Sequence, residues 1–398
     1  MSLLAINGGE PVREELLPYG RQYLDQDDYK TLDDFIKTTS FLTTGPTLQK
    51  FEDECSKYLG VKHSVALSSA TAGLHAACDL LNLSEDDEVI VPAISFAATA
   101  NCVRYCGGTV VFADVEPETL NLDLNQIKKL ITPRTQAIIS VDMTGQPGDM
   151  IELKKICQKH GLVLIEDAAH TMGLKDPRVG SLCDITVFSF HPVKTMTTGE
   201  GGLVVTENDA WAQRLKQFRN HGIEQDYKMR EKGVTHRYEI NHLGYNYRMT
   251  DIQAALGLSQ LKKLDWFISR RQEIATKYNL FFLSDTHSKW LQPLEQKRGN
   301  AYHLYVIRLK LENLTVDRDE IFKALKSEGI GVNIHYMPIY WHPYYLNLDS
   351  TKYYHGLCPQ AEAVYQEILS LPIFPGMLDT DIQDVVKALE KVLSHYAK

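Results

Sequence analysis

The chain has 398 residues, of which 44% are hydrophobic and 23% charged, with a formal net charge of −9. That length and apolar content suit one large or two medium globular domains with full cores, and exclude a disordered chain. An acidic balance without a basic run argues against nucleic acid as the main partner, and no apolar run approaches a membrane span.

In chain order, residues 1–25 are expected to be irregular, punctuated by Gly8, Gly9, Pro11 and Pro18. Helical spacing covers 27–36, a loop covers 38–46, and a second helix covers 47–59. From His63 the pattern alternates, with strands at 63–67, 88–91, 109–113, 137–141 and 163–165. Helices at 70–81, 97–106, 124–131 and 150–160 lie between them. Strands alternating with helices on short connections predict an α/β fold with a mostly parallel sheet covered on both faces. Ligands of such sheets gather at the carboxyl ends of strands.

The chemically suggestive residues fall at those ends. Ser68-Ser-Ala70-Thr71-Ala72-Gly73 follows the first strand and opens a helix. Small residues and hydroxyls there let helix-start N–H groups approach an anion, although an ordinary N-cap accounts for the same residues. It is neither a Walker loop nor a dinucleotide fingerprint. Phe96 lies just beyond the second strand, placed either to stack on a flat ligand or to fill core. Residues 162–167 end in Glu166 and Asp167, followed by Ala-Ala-His170. Period-two geometry puts the two carboxylates on opposite faces with Asp167 inward, a costly position unless paired.

Ile185 to Phe190 is a short apolar run that reads as a buried strand, and Pro192 takes the chain out of the ladder. Lys194 therefore falls just past a strand end, before the polar turn Thr195-Met-Thr-Thr-Gly-Glu-Gly-Gly202. A Lys that is partly desolvated loses its proton easily, and the neutral amine attacks a carbonyl to form a Schiff base. A single Lys in a loop is more often a surface residue; the conjunction decides. Pyridoxal phosphate (PLP) needs such an amine, a carboxylate for its pyridinium nitrogen, a helix N-terminus for its phosphate and a flat partner for its ring. Each need is met at a separate strand end.

In the second half, the charged stretch 226–241 reads as a solvated insertion rather than a lid. Thr250-Asp-Ile-Gln253 is a capping box for a helix over 252–268. The texture then changes to a charged helix over 270–282, a strand over 302–309, and helices over 318–328 and 379–395. This predicts a large domain, residues 1–268 with the N-terminal segment, and a smaller α/β domain, residues 269–398. Residues 335–345 place aromatics and two His between prolines, as a hinge-packing cluster or as a platform for a base or sugar. None of the 14 His shows His-Glu-x-x-His spacing, so no metal is expected. Seven Cys without a Cys-x-x-Cys pair and a start without a signal-peptide pattern point to a reducing, cytoplasmic location.

Several motifs carry a resemblance: Ser68-Ser-Ala-Thr-Ala-Gly73, Glu166-Asp-Ala-Ala-His170, Phe188-Ser-Phe-His-Pro-Val-Lys194, Thr197-Thr-Gly-Glu-Gly-Gly202 and Leu243-Gly-Tyr-Asn-Tyr-Arg-Met-Thr-Asp251. From Tyr19 to about Leu371 the chain resembles the fold-type I aminotransferases, in particular the DegT/DnrJ/EryC1/StrS family of nucleotide-sugar aminotransferases. The resemblance implies that Lys194 holds PLP and then acts as acid and base, and that Asp167 pairs with the ring nitrogen. It implies His170 near the ring hydroxyl, where many relatives carry Gln, Phe96 on the ring, and Thr71, Ala72 and Ser189 at the phosphate. Asn246 is implied to reach the phosphate of a neighbouring subunit, making a homodimer part of the site.

Pro18-Tyr-Gly-Arg-Gln22, Ser40-Phe-Leu-Thr-Thr44, Ser140-Val-Asp-Met-Thr-Gly145 and Asn333-Ile-His-Tyr-Met-Pro-Ile-Tyr340 are similar to the family branch that makes UDP-4-amino-4,6-dideoxy-N-acetyl-β-L-altrosamine, a pseudaminic acid precursor. That likeness implies Tyr19, Phe41, Leu42, Thr43, Ala70, His335, Tyr336, Met337 and Pro338 beside a UDP-linked keto sugar, with L-glutamate as amino donor. The alternatives are the same fold acting on a perosamine, viosamine or bacillosamine precursor, and a non-catalytic binding protein on this scaffold. A dehydratase of this fold carries His in place of the Lys, and Lys194 argues against it.

Overall fold

The computed structural model describes residues 3–176, 178–223 and 239–398. Most of the charged stretch 226–241 thus lies outside the described residues. Two helices, α1 (Gln26–Thr38) and α2 (Pro46–Leu59), lead into the alternating region. There follow β1 (His63–Leu67), α3 (Ala70–Asp79), β2 (Glu88–Pro92), α4 (Ala98–Tyr105), β3 (Thr109–Ala113), α5 (Leu124–Leu130) and β4 (Thr135–Val141). Then come α6 (Met150–His160), β5 (Val163–Asp167), β6 (Ile185–Ser189), β7 (Gly202–Thr206) and α7 (Asp209–Phe218). All seven strands form one sheet in the order β1-β7-β6-β5-β4-β2-β3. Only β7 is antiparallel to its neighbours.

Both faces of this sheet are dry, which is why its strands are near-continuous apolar runs. Along β1, Val65 and Leu67 pack with Leu74 and Ala77 of α3. Ala66, between them, turns to Phe51 and Cys55 of α2. At the other end, Ile90, Ile138 and Leu164 pack with Ile127 of α5 and Leu153 of α6. Full burial of each such aliphatic side chain is worth about 1.5–3 kcal/mol, so the sheet is a stiff floor for whatever its ends carry.

Next come α8 (Asp251–Leu261) and α9 (Leu264–Phe282). The helix expected over 252–268 instead breaks at Lys262 and Lys263, and the charged segment 270–282 is the second half of α9. The change in texture arises because α9 changes partners along its length. Leu264, Phe267 and Ile268 pack in the core of the large sheet, whereas Ile274, Ala275, Tyr278 and Phe282 pack in the core of a second sheet.

That second sheet contains β8 (Leu291–Pro293), β9 (Tyr305–Leu309) and β10 (Ile368–Leu371), antiparallel with β9 central. Between β9 and β10 run α10 (Arg318–Ser327), α11 (Pro343–Leu348) and α12 (Pro359–Tyr365), and α13 (Asp379–His395) closes the chain. Leu4 and Leu17 from the irregular N-terminal stretch join this second core. The strand expected from residue 302 begins at Tyr305, because Tyr302 has a φ of +48° that a strand does not adopt. The first helix after β1 likewise stops at Asp79 rather than residue 81, and β6 ends one residue before Phe190.

One long-range cap matters for the site. The N-cap of α2 is Gly45, which offers no side chain. Asp251, some two hundred residues on, supplies the missing acceptor: its carboxylate receives the N–H groups of Gly45, Thr47 and Leu48 at 2.8, 2.9 and 3.1 Å. The first residue of α8 thereby fixes the loop that carries Phe41, Leu42 and Thr43. Among the described residues, no helix is long and apolar enough to cross a membrane.

Candidate active site

A cavity of about 790 Å³ opens at the carboxyl ends of β1, β2, β4, β5 and β6 and is closed by segments flanking the second sheet. Its floor is the start of α3, where Ser69 caps the helix by accepting the Ala72 N–H at 3.1 Å. The N–H groups of Ala70 and Thr71, in the first turn, have no place in the helix's own ladder. They form an anion cradle at the positive end of the helix dipole. Gly202, the first residue of β7, is essential to that shape: a Cβ there would sit 2.4 Å from Ser69 O and 2.5 Å from Ala70 N.

Asp167, last residue of β5, points into the cavity and is only 5% exposed. Thr99 Oγ1 donates to its Oδ2 at 2.8 Å and the Ala169 N–H donates to its Oδ1 at 3.2 Å. Ser95 Oγ lies 2.8 Å behind Thr99 Oγ1, completing a chain of hydroxyls. Burial pushes the Asp167 carboxyl up from the ordinary range, opposed by Thr99, by the Ala169 N–H and by Lys194. Its neighbour Glu166 turns the other way, to Thr186 Oγ1 and the Gly180 N–H, as the pleat requires.

Lys194 is set in the turn after β6, its own N–H bonded to His191 O at 2.9 Å. Among the described residues, its amine is the one Lys or Arg group lining the cavity. Burial pulls its pKa down to about 8, with Arg271 contributing and Asp167 resisting. His303 Nε2 lies 3.4 Å from Lys194 Nζ, and its ring is 4.4 Å from that of His170. Burial and the nearby Lys194 hold both imidazoles neutral, and the Nδ1 atom of each is buried without a partner among the described residues.

The outer wall is aromatic. Tyr19 and His335 have ring centroids 5.2 Å apart, His335 and Tyr336 4.8 Å, and Phe96 and Tyr336 6.1 Å. His335 Nδ1 is 2.7 Å from Ser370 Oγ, which fixes the ring against β10. Phe96 is 59% exposed, so it is no core residue.

The cavity thus brings together Tyr19, Ala70, Thr71, Phe96, Asp167, His170, Ser189, Lys194, His335 and Tyr336. Ala72 is buried behind the cradle with its N–H taken by Ser69, and Met337 and Pro338 lie beyond the lining. Phe41, Leu42, Thr43 and Asn246 are exposed and do not line the cavity of their own chain. Thr99, Ser95, His303 and Asn333 were not anticipated: Thr99 reads as a helix-interior residue and His303 as part of a strand.

The residues present fit PLP. An amine that ionises near neutrality, a buried carboxylate and a helix-start cradle that a single methyl would fill share one cavity, and an orphaned imidazole nitrogen borders it.

Comparison with known proteins supports the same assignment. The model of the DegT/DnrJ/EryC1/StrS aminotransferase family matches residues 22–390. The spore coat polysaccharide biosynthesis protein SpsC of Bacillus subtilis is 36% identical over 386 residues, covering 96% of this chain and 98% of SpsC. The structure of Helicobacter pylori PseC, an aminotransferase involved in the biosynthesis of pseudoaminic acid, superposes with a TM-score of 0.87 at 32% identity, covering 96% of this chain and all of that one. Spr1654 from Streptococcus pneumoniae, in its PLP-form, superposes with a TM-score of 0.85 at 27% identity over 96% of this chain and 99% of that one. The cradle, the carboxylate and the amine therefore sit in a fold-type I, PLP-dependent enzyme, and the chain belongs to the DegT/DnrJ/EryC1/StrS aminotransferase family.

Proposed function

We propose that the protein transfers an amino group from L-glutamate to C4 of a UDP-linked 4-keto-6-deoxy-N-acetylhexosamine, giving UDP-4-amino-4,6-dideoxy-N-acetyl-β-L-altrosamine. The observation that carries the reading is the convergence of the Lys194 amine, the Asp167 carboxylate and the α3 cradle on one cavity. The choice of sugar draws on the likeness to PseC and on the Asn333 to Tyr336 stretch at the cavity wall.

When bound, PLP supplies a carbonyl for amines to condense with and a ring that withdraws electrons. Asp167, ionised with the help of Thr99 and the Ala169 N–H, is assigned to the ring nitrogen. Thr71 and Ser189, with the Ala70 N–H, are assigned to the phosphate, Ala72 backs that cradle, and Phe96 is assigned to the ring face and His170 to the ring hydroxyl. Lys194 as free amine would take up the proton from the donor's α-carbon and later release it; the partial burial that lowers its pKa supplies the neutral form this needs. On the sugar side, Tyr19, Ala70, His335 and Tyr336 form the contact surface, and Met337 and Pro338 back it. Phe41, Leu42, Thr43 and Asn246 are outward-facing residues that a homodimer brings to a site: Leu42 is 56% exposed in the single chain. The reading assigns cofactor chemistry to residues 1–268, a closing wall to residues 269–398, and the enzyme to the cytoplasm.

The test is turnover with L-glutamate and a panel of UDP- and dTDP-linked 4-keto sugars, with the aminated products identified by mass spectrometry. The UDP-4-keto-6-deoxy-N-acetylhexosamine is expected to be the preferred acceptor. A preference for a dTDP sugar overturns the acceptor assignment, and absence of amination from glutamate with every acceptor overturns the reading as a whole.

A further inference from the structure

His303 lies on the segment that enters β9, with Nε2 3.4 Å from Lys194 Nζ and Nδ1 buried without a partner among the described residues. Its backbone is clamped in an unusual way. The Ala301 N–H donates to Gly145 O at 2.8 Å and the Leu304 N–H to Thr144 O at 3.0 Å. Thr144 and Tyr302, on either side of this junction, have φ values of +63° and +48°. A Cβ on Gly145 would come within 3.0 Å of His303 N. Fully buried Arg271 donates through Nη1 to the carbonyls of Tyr302, His303 and Ile373 at 3.1, 3.2 and 2.9 Å. Backbone held in sparsely populated conformations persists where its surroundings over-determine it, and such places cluster at functional sites.

A neutral imidazole carries one N–H and one lone pair. A buried N–H without an acceptor is the rarer and costlier orphan. The unpartnered Nδ1 is therefore the lone-pair nitrogen, and the proton sits on Nε2, facing Lys194. We propose that His303 is a positioning residue for Lys194: its Nε2–H donates to the lone pair of the amine and holds Lys194 as the free base. An ammonium at Lys194 finds no acceptor on His303 in that tautomer, and switching the tautomer strands an N–H on Nδ1. Among groups facing the pair, Asp167 favours the ammonium, whereas His170, His335 and Arg271 oppose further positive charge. His191, Glu200, Tyr19 and Tyr336 also line the cavity. The proposal rests on the assignment of Lys194 to the cofactor carbonyl.

The test mixes cofactor-free, full-length protein with PLP and follows carbonyl capture by absorbance as a function of pH. For the native protein the capture rate is expected to be half-maximal near pH 8, the pKa of Lys194 being about 8. His303→Phe keeps a flat ring and removes the donor, and its midpoint should rise by about one pH unit, a roughly tenfold loss of free amine at a given pH. His303→Gln, whose amide N–H reaches as far as Nε2, should restore the midpoint. An unmoved midpoint in His303→Phe, or a Gln variant that behaves like Phe, overturns the proposal. Native protein that captures no PLP at any pH instead overturns the role of Lys194. If His303→Phe does not fold, a two-bond 1H–15N spectrum of 15N-histidine-labelled native protein decides: a proton on Nε2 supports the proposal and a proton on Nδ1 overturns it.

Discussion

Thr99→Val keeps the shape of a fully buried side chain and deletes the hydroxyl that donates to Asp167 Oδ2 at 2.8 Å. Burial already drives the Asp167 carboxyl up, and Thr99 is the largest force opposing it. A hydrogen bond to a charged group is worth about 1.5–3 kcal/mol, so its loss should raise the pKa of Asp167 by roughly one to two units. At pH values below that raised pKa less carboxylate faces the ring nitrogen, and there PLP affinity and the glutamate half-reaction should fall, by up to about ten- to a hundredfold. Protonation removes the carboxylate, so the defect should deepen as pH is lowered from 8 to 6. Equilibrium binding of PLP and stopped-flow absorbance with L-glutamate, each at both pH values, measure the two effects. Affinity and half-reaction both within about twofold of native at pH 6 would refute the assignment of Thr99 as the residue that keeps Asp167 charged.

Three other predictions probe different parts of the account. Gly202→Ala drives a methyl into Ser69 O and Ala70 N and should weaken PLP binding by at least about tenfold with the fold retained; native affinity would remove the α3 start from the phosphate site. Asp251→Ala uncaps α2 and should cost about 1–2 kcal/mol. In the same variant the KM for the sugar nucleotide should rise while the glutamate half-reaction is unchanged; an unchanged sugar KM would detach Phe41 to Thr43 from substrate binding. Glu166 is fully buried, and burial, with the Asp167 charge adding to it, raises its carboxyl from the ordinary 4.5 to about 7. The folded state then binds this proton more tightly than the unfolded state, so the carboxyl costs stability as pH rises from 4.5 through its folded value, and the whole cost is present above that window. Glu166→Gln keeps an acceptor for Thr186 and the Gly180 N–H and should be more stable than native at pH 8 by at least about 1 kcal/mol, with no gain at pH 4. Thermal melts at the two pH values show it, and a gain that is equal at both would contradict the linkage.

How far the sequence carried depended on whether a feature is local. Lys194, Asp167 and the Ser68 to Gly73 turn each sit at the end of an apolar run, so a strand end and a chemical group could be read together. β7 was missed because Gly202 begins it and also ends a glycine-rich turn; its residues Gly-Leu-Val-Val-Thr are legible as a strand only once β1 and β6 flank them. The break at Lys262 and Lys263 was misplaced because α9 serves two cores, and its charged outer face resembles the start of a new domain. Thr99 and His303 carry no sequence signal. Thr99 is 68 residues from Asp167, and His303 is 109 residues from Lys194, so both contacts exist only after β2, β5, β6 and β9 have been assembled. The exposed placement of Phe41, Leu42, Thr43 and Asn246 follows from the single chain, whereas their assigned roles belong to a pair of chains.

The central claim is that Lys194 carries the cofactor through an amino-transfer cycle, and absorbance of the purified protein tests it most directly. Native protein should show a visible band that L-glutamate bleaches and the UDP-4-keto sugar restores, and Lys194→Ala should show neither change. A protein that binds no PLP, or a Lys194→Ala variant that cycles as the native enzyme does, would contradict the account.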